Sequence, residues 1–280
     1  MSEKRRTQQD RRARRRARSG GQAGGGFANR ELGELMNRMA EVAVRDAAKL
    51  EDAIDAECWA SDVLSTWGGR ELPDGDAEEV FAPAFVRALE RRGSPKALAT
   101  LRALSAVGSE AHGQRARAAA DRLAARGLKE PAWSEGVGRG EAVGAQLMRD
   151  EAFDDGVSVQ IEFPQPGCEN HTLGIYIDHN MGGLVKDAFL AGPLAEVEGE
   201  MRRTPDGDRL TLHGLDLAEA RARVEAGLYM LDHTDDPPVD EDVSRLRALI
   251  DARIRLLPDG FELPDEYEEM SSEARRSLGR

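Results

Sequence analysis

Long apolar runs are missing from this 280-residue chain. No stretch of about 18 apolar residues occurs, so no transmembrane segment is expected. The N-terminus is basic, but no apolar segment follows it, which argues against a secretory signal. Cysteine is scarce: Cys58 and Cys168 are the only two. Two cysteines cannot build a disulfide framework, and their scarcity suggests a reducing, cytoplasmic compartment. Aromatic residues make up 5% of the chain and charged residues 32%, which predicts a modest core under a heavily charged surface. Glycine (29) and proline (12) are too few for a fibrous or wholly disordered protein. Several catalytic signatures are absent too. There is no G-x-S-x-G elbow, no phosphate-binding P-loop, no G-x-G-x-x-G and no H-E-x-x-H.

What is present is an uneven distribution of charge. The whole chain has 39 basic and 52 acidic residues, a net charge of −13. Residues 1–18 hold nine basic residues (Lys4, Arg5, Arg6, Arg11, Arg12, Arg14, Arg15, Arg16, Arg18) against Glu3 and Asp10, giving +7. The remaining 30 basic and 50 acidic residues give −20. A block of like charge repels itself and buries nothing, so residues 1–28, including the linker SGGQAGGG at 19–26, are expected to form a disordered basic tail. Such a tail reaches roughly 30 Å. Arginine pairs with phosphate in bidentate geometry, so Arg5, Arg6, Arg11, Arg12, Arg14, Arg15, Arg16 and Arg18 are candidate polyanion contacts. Their engagement would give a salt slope of about −5 to −8. No aromatic residue is interleaved for base stacking, so any nucleic-acid contact is expected to be weak and non-specific. Basic residues gathered in a tail rather than on a recognition helix also argue against a DNA-binding regulator.

The body reads as α+β: an N-terminal helical bundle or helical array at 29–128, then a small antiparallel sheet packed with helices at 129–258, then a loose C-terminal tail at 259–280. In the helical part Leu32, Leu35, Met36, Met39, Val42 and Ala43 recur at helical spacing, and Leu50, Ile54, Cys58, Val63 and Trp67 continue the pattern. This predicts one long bent helix, or two joined near 46–51. A helix from about Asp76 to Gly93 follows, with Pro83 as a candidate for its first turn. Ser94-Pro95 opens another, and a third runs from about Glu110 to Arg126. Beyond Pro131 the period changes to two. Val143, Ala145 and Leu147 alternate, as do Val157, Val159, Ile161 and Phe163, and Leu173, Ile175 and Ile177. Leu210 to Leu212 is a candidate edge strand. Asp216 with Glu219 opens a helix, and another spans about Asp240 to Leu256.

One segment is dense in reactive side chains: HTLGIYIDHNMGGLVKDAFL at 171–190. His171, Asp178, His179, Lys186 and Asp187 are the candidate catalytic residues, since aspartate beside histidine can orient an imidazole that titrates near neutral pH. A zinc site on Cys168, His171 and His179 fails on reach, because an extended strand from 171 to 178 separates its ends by roughly 23 Å. A calcium loop opening at Asp178 fails because its twelfth position is Phe189, where a bidentate glutamate is needed. No metal site and no cofactor are expected. The competing reading is a polar turn: Asp178 and Asn180 bond nearby backbone amides, and Gly182 and Gly183 supply positive φ.

The same segment, with its Asp-His-Asn turn before Gly-Gly and Lys-Asp, resembles a segment of an uncharacterised actinobacterial protein group. The similarity extends over about 130–255, through LAEARARVEAGL at 217–228 and ARIRLLP at 252–258. It implies a bacterial source and no particular chemistry. The sequence therefore leads to a non-catalytic cytoplasmic interaction protein, with an unidentified protein partner and a polyanion-attracting tail. The alternative is a small-molecule-binding or hydrolytic domain built on Asp178, His179, Asn180, Lys186 and Asp187.

Overall fold

A computed structural model describes residues 30–68, 71–72, 75–153, 155–205 and 207–263. The tail arginines, the linker at 19–26 and most of the expected C-terminal tail lie outside the described residues. The described residues begin with helices. The first, α1, runs over 30–46 and buries Met36, Ala40 and Ala43. A 3-10 turn at Ala47–Lys49 breaks the helical run, and α2 (Ala53–Ser65) restarts it, with the Asp52 carboxylate accepting the Asp55 N–H at 2.8 Å. Two helices, not one bent helix, thus fill the stretch that has no proline or glycine to separate them.

Three more helices follow: α3 (Ala77–Arg92), α4 (Pro95–Val107) and α5 (Glu110–Ala125). Pro83 lies inside α3 and does not mark its first turn. Ser94 caps α4 by accepting the Ala97 N–H, and Pro95 takes the first helical position, where no donor is lost.

The sheet has five antiparallel strands: β1 (Gly144–Asp150), β2 (Gly156–Phe163), β3 (His171–Asp178), β4 (Leu184–Ala191) and β5 (Leu210–Leu215). Their spatial order is β4-β3-β2-β1-β5. Strand β4 is an addition to the sequence reading. Its core-facing Val185 and Ala188 are interrupted by Lys186 and Asp187, and the register shifts between Tyr176 and Ile177 where the strand joins the sheet. Helices α6 (Leu194–Met201), α7 (Leu217–Asp232) and α8 (Glu241–Ile254) complete the fold. None of the described helices is long and apolar enough to cross a membrane.

Two apolar cores meet at α8. On one face of the sheet Val159, Ile161, Leu173, Ile175 and Ile177 pack with Val224 of α7 and with Val243, Ile250 and Ile254 of α8. The core of the helical half takes Leu249 from the opposite side of α8. Leu246 packs against both. A helix apolar on two faces is what a buried layer between two others requires. The junction is also tied by polar groups. The Ser61 hydroxyl of α2 donates to the Arg245 carbonyl at 2.7 Å and accepts the Leu249 N–H at 3.1 Å, so it sits across one helical step of α8. Gly227 lets α7 lie close on the sheet, since a Cβ there would stand 3.0 Å from Val185 Cγ2.

Candidate functional site

The turn from β3 to β4, with the first half of β4, carries four of the five candidate catalytic residues. Asp178 is buried at the end of β3. One carboxylate oxygen accepts the Met181 N–H at 3.2 Å, and the other accepts the Lys186 ammonium at 2.6 Å. That hydrogen bond raises the Lys186 pKa above its ordinary value. His179 opens a short 3-10 turn, His179–Met181, and its backbone N–H donates to the Asp155 carbonyl. Gly182 and Gly183 then take φ of 76° and 80°, a region glycine enters without strain. Asn180 and Asp187 are exposed, with Asp187 across from Tyr176. Both oxygens of Asp178 are thereby engaged in holding the turn, and its carboxylate faces a backbone amide and a lysine.

His171 lies at the other end of β3, roughly 23 Å from Asp178 by strand rise. It belongs to a different group, one that sequence reasoning missed. There Arg253 of α8 and Glu57 of α2 form an ion pair at 2.5 Å, with side chains 2% and 1% exposed. The same Arg253 nitrogen donates to Gln165 Oε1 at 3.0 Å and stands 3.4 Å from His171 Nε2. The other Glu57 oxygen accepts the Gly138 N–H at 2.7 Å and the Gln165 amide at 2.8 Å. The guanidinium lies 5.3 Å from the centroid of the Phe163 ring, which in turn stacks on His171.

Burial raises the Glu57 carboxyl pKa, with the Arg253 charge and three hydrogen bonds opposing it. The same burial, reinforced by Arg253, lowers the His171 pKa to about 4, so the imidazole is neutral at physiological pH. A neutral ring is what a contact with a guanidinium needs, because only a neutral nitrogen can accept. Gly136, Gly138 and Gly140 make room for the group. A Cβ at Gly136 would lie 2.6 Å from the Pro166 carbonyl, one at Gly140 would lie 2.8 Å from Arg253 Nη1, and Gly138 has φ of 70°. The G-x-G-x-G spacing at 136–140 was the available sequence signal. Glu57 and Arg253, 196 residues apart, offered none.

A cleft of about 880 Å³ opens beside α8, between the C-terminal end of α2 and the loop after α7. Its charged lining is mutually neutralised. Arg247 bonds both oxygens of Asp232 at 2.6 and 2.8 Å and reaches Asp251 at 3.2 Å. At the rim Ser109, His112 and Glu78 approach the composition of a catalytic triad, but the geometry is wrong. Ser109 Oγ (3.0 Å) and Glu78 Oε1 (2.7 Å) both meet Nδ1 of His112, whereas a proton relay requires the hydroxyl and the carboxylate on opposite ring nitrogens. The hydroxyl also lies 3.0 Å from the same glutamate oxygen and donates to it. Among the described residues no group of three His, Cys, Asp or Glu side chains is placed to hold a metal ion.

Comparison with protein-family models, with curated proteins and with solved structures found no match to this chain.

Proposed function

We propose that this chain is a non-catalytic interaction protein of the bacterial cytoplasm that holds an anionic polymer through its N-terminal arginines. The observation that carries this reading is that six arginines of the body are engaged by its own carboxylates. Arg102 bonds Glu130 and Asp121, Arg122 bonds Glu90, Arg223 bonds Glu219, Arg245 bonds Asp62 and Asp242, Arg247 bonds Asp232 and Asp251, and Arg253 bonds Glu57. Guanidinium groups already satisfied by carboxylates have little to offer a phosphate, and a body of charge −20 repels one. Residues 1–18 have nine basic residues and only two acidic ones in the same stretch. The division of labour is therefore electrostatic: the tail attracts, and the acidic body keeps the complex from collapsing onto the polymer. A protein partner on the helical half fits the same reading, since α1 leaves Leu35 and Val42 exposed two turns apart on one stripe.

The test uses the full chain and a variant in which the eight tail arginines are replaced by glutamine. Binding to a short DNA duplex is measured between 50 and 200 mM salt. The parent is expected to bind with a log–log salt slope of about −5 to −8, and the variant to lose binding across the range. Equal binding by the two, or no binding by the parent at 50 mM salt, refutes the proposal.

A further inference from the structure

The middle of the second face of the sheet carries polar side chains that are nevertheless buried, while Glu162 and Asp187 on the same face are half-buried and exposed, respectively. On it lie Gln146 of β1, Ser158 and Gln160 of β2, and Thr172 of β3, all between 0% and 6% exposed. No charged residue is among these four. The Gln146 amide donates to Gln160 Oε1 at 2.8 Å, and the Gln160 amide finds only the thioether of Met201, at 3.6 Å. A thioether is a weak acceptor. The hydroxyls of Ser158 and Thr172 have no hydrogen-bond partner among the described residues. Phe189 of β4 lays its ring against Gly174, in the row that continues through Gln160 to Gln146.

The cover over this face is slight. Helix α6 has eight residues, begins after Gly192-Pro193 with no side-chain cap, and buries a single side chain, Val197. Eight residues are too few for a helix to hold by itself in water, and one buried valine adds little. Burying a hydroxyl without a partner is unfavourable, so the closed arrangement is destabilised on the sheet side as well as weakly held on the helix side.

We infer that this face is a binding surface for an uncharged, hydroxyl-rich ligand of the hexose class, and that α6 is a cover that such a ligand displaces. Two carboxamides and two hydroxyls supply donors and acceptors without charge, matching vicinal hydroxyl groups, and the Phe189 ring supplies an apolar wall for the C–H face of a sugar. The cleft beside α8 lacks this character, since its polar lining is dominated by paired ions. The inference is independent of the tail and of the polymer it holds.

The experiment has two readouts on the full chain, with glucose and galactose as probes. The first is amide hydrogen exchange of the unmodified protein. Amides of 194–201 are expected to exchange at least 10-fold faster than those of α7, and faster still with saturating hexose. The second is alkylation of a Ser158→Cys variant by iodoacetamide, read by mass spectrometry at that site. Labelling is expected to outpace global unfolding by at least 10-fold and to slow several-fold with hexose. The two readouts should thus respond to sugar with opposite sign. Exchange of 194–201 no faster than that of α7 overturns the cover, with or without a foldable variant. Fast exchange that neither sugar alters in either readout overturns the ligand class.

Discussion

His171 and Thr172 are neighbours in β3, and their side chains enter two buried polar groups on opposite faces of one sheet. In the first, the Glu57 carboxylate receives hydrogen bonds from Arg253, Gln165 and Gly138. In the second, the hydroxyls of Ser158 and Thr172 find no partner among the described residues. Burial is similar, and the difference is at the centre of each group: both Glu57 oxygens are paired, although Arg253 Nε and His171 Nδ1 find no partner among the described residues. A fully paired carboxylate fixes the elements that supply its donors: here α2, α8 and the glycine loop are held to one another. An unsatisfied group fixes nothing, and it favours any state in which water or a ligand reaches it. The contrast gives the Glu57 carboxylate a part in holding α2, α8 and the glycine loop together, and it is the basis for proposing the α6 side as a binding surface.

The strongest way to break this comparison is to remove one partner of the ion pair. Glu57→Ala leaves the Arg253 guanidinium buried without its counter-ion and is expected to cost about 3–5 kcal/mol in denaturant unfolding. Removing both charges with apolar residues of similar size, Glu57→Leu with Arg253→Met, should recover much of that loss, because desolvation no longer has to be offset. If the double variant is as unstable as the sum of its parts, the pair contributes more than charge compensation. In that case the Gly138 and Gln165 hydrogen bonds hold the junction.

His171 gives a pH-dependent form of the same test. Its folded-state pKa of about 4 lies below the ordinary value of 6.5. Between these values the unfolded chain takes up a proton that the folded chain refuses. The stabilisation is therefore complete above pH 6.5 and is lost as the pH falls towards 4, amounting to about 3 kcal/mol over the window. Glu57 acts in the opposite sense. Its raised pKa means that the folded chain holds a proton the unfolded chain has released, so its contribution falls as pH rises from 4.5 towards the folded value. A His171→Gln variant isolates the first effect. The stability difference between parent and variant should shrink from pH 7 to pH 4. A difference that stays constant across that range means that His171 protonates inside the fold.

Little of this contrast was legible in the sequence. Helical spacing and strand alternation lead to the α+β plan, because each strand has one apolar face and each helix one apolar stripe. The capping of α7 by Asp216, which accepts the Ala218 and Glu219 N–H groups, was equally readable. The polar turn at 178–183 was one of two readings, and in it Asp178 accepts the Met181 N–H and the Lys186 ammonium. Strand β4 escaped because Lys186 and Asp187 interrupt its apolar pattern. The Glu57–Arg253 pair escaped because α2 and α8 are distant in sequence and a charge in a helix looks exposed until its partner is known. The alternation of Ser158, Gln160 and Thr172 with apolar residues reads as a solvated face, and no local pattern says that α6 covers it.

The mildest substitutions sharpen the comparison most cleanly, because they alter a single hydroxyl in each environment. Ser61 at the α2–α8 junction and Thr172 under α6 are both fully buried. Ser61→Ala removes a donor to the Arg245 carbonyl and an acceptor of the Leu249 N–H, and is expected to cost about 1–3 kcal/mol. Thr172→Val replaces a hydroxyl that has no partner among the described residues with a methyl group of nearly the same volume. The desolvation cost of that hydroxyl disappears and no hydrogen bond is lost, so stability should stay level or rise by up to about 1 kcal/mol. Equilibrium unfolding of the two variants at pH 7 reads the difference directly. The same Thr172→Val protein should bind hexose more weakly than the parent if the α6-covered face is the binding surface. A variant that gains stability while losing ligand is the expected signature of a polar group kept for binding. A loss of stability at Thr172 comparable to that at Ser61 would mean that the hydroxyl has a partner in the closed state, and the distinction between the two faces would fall.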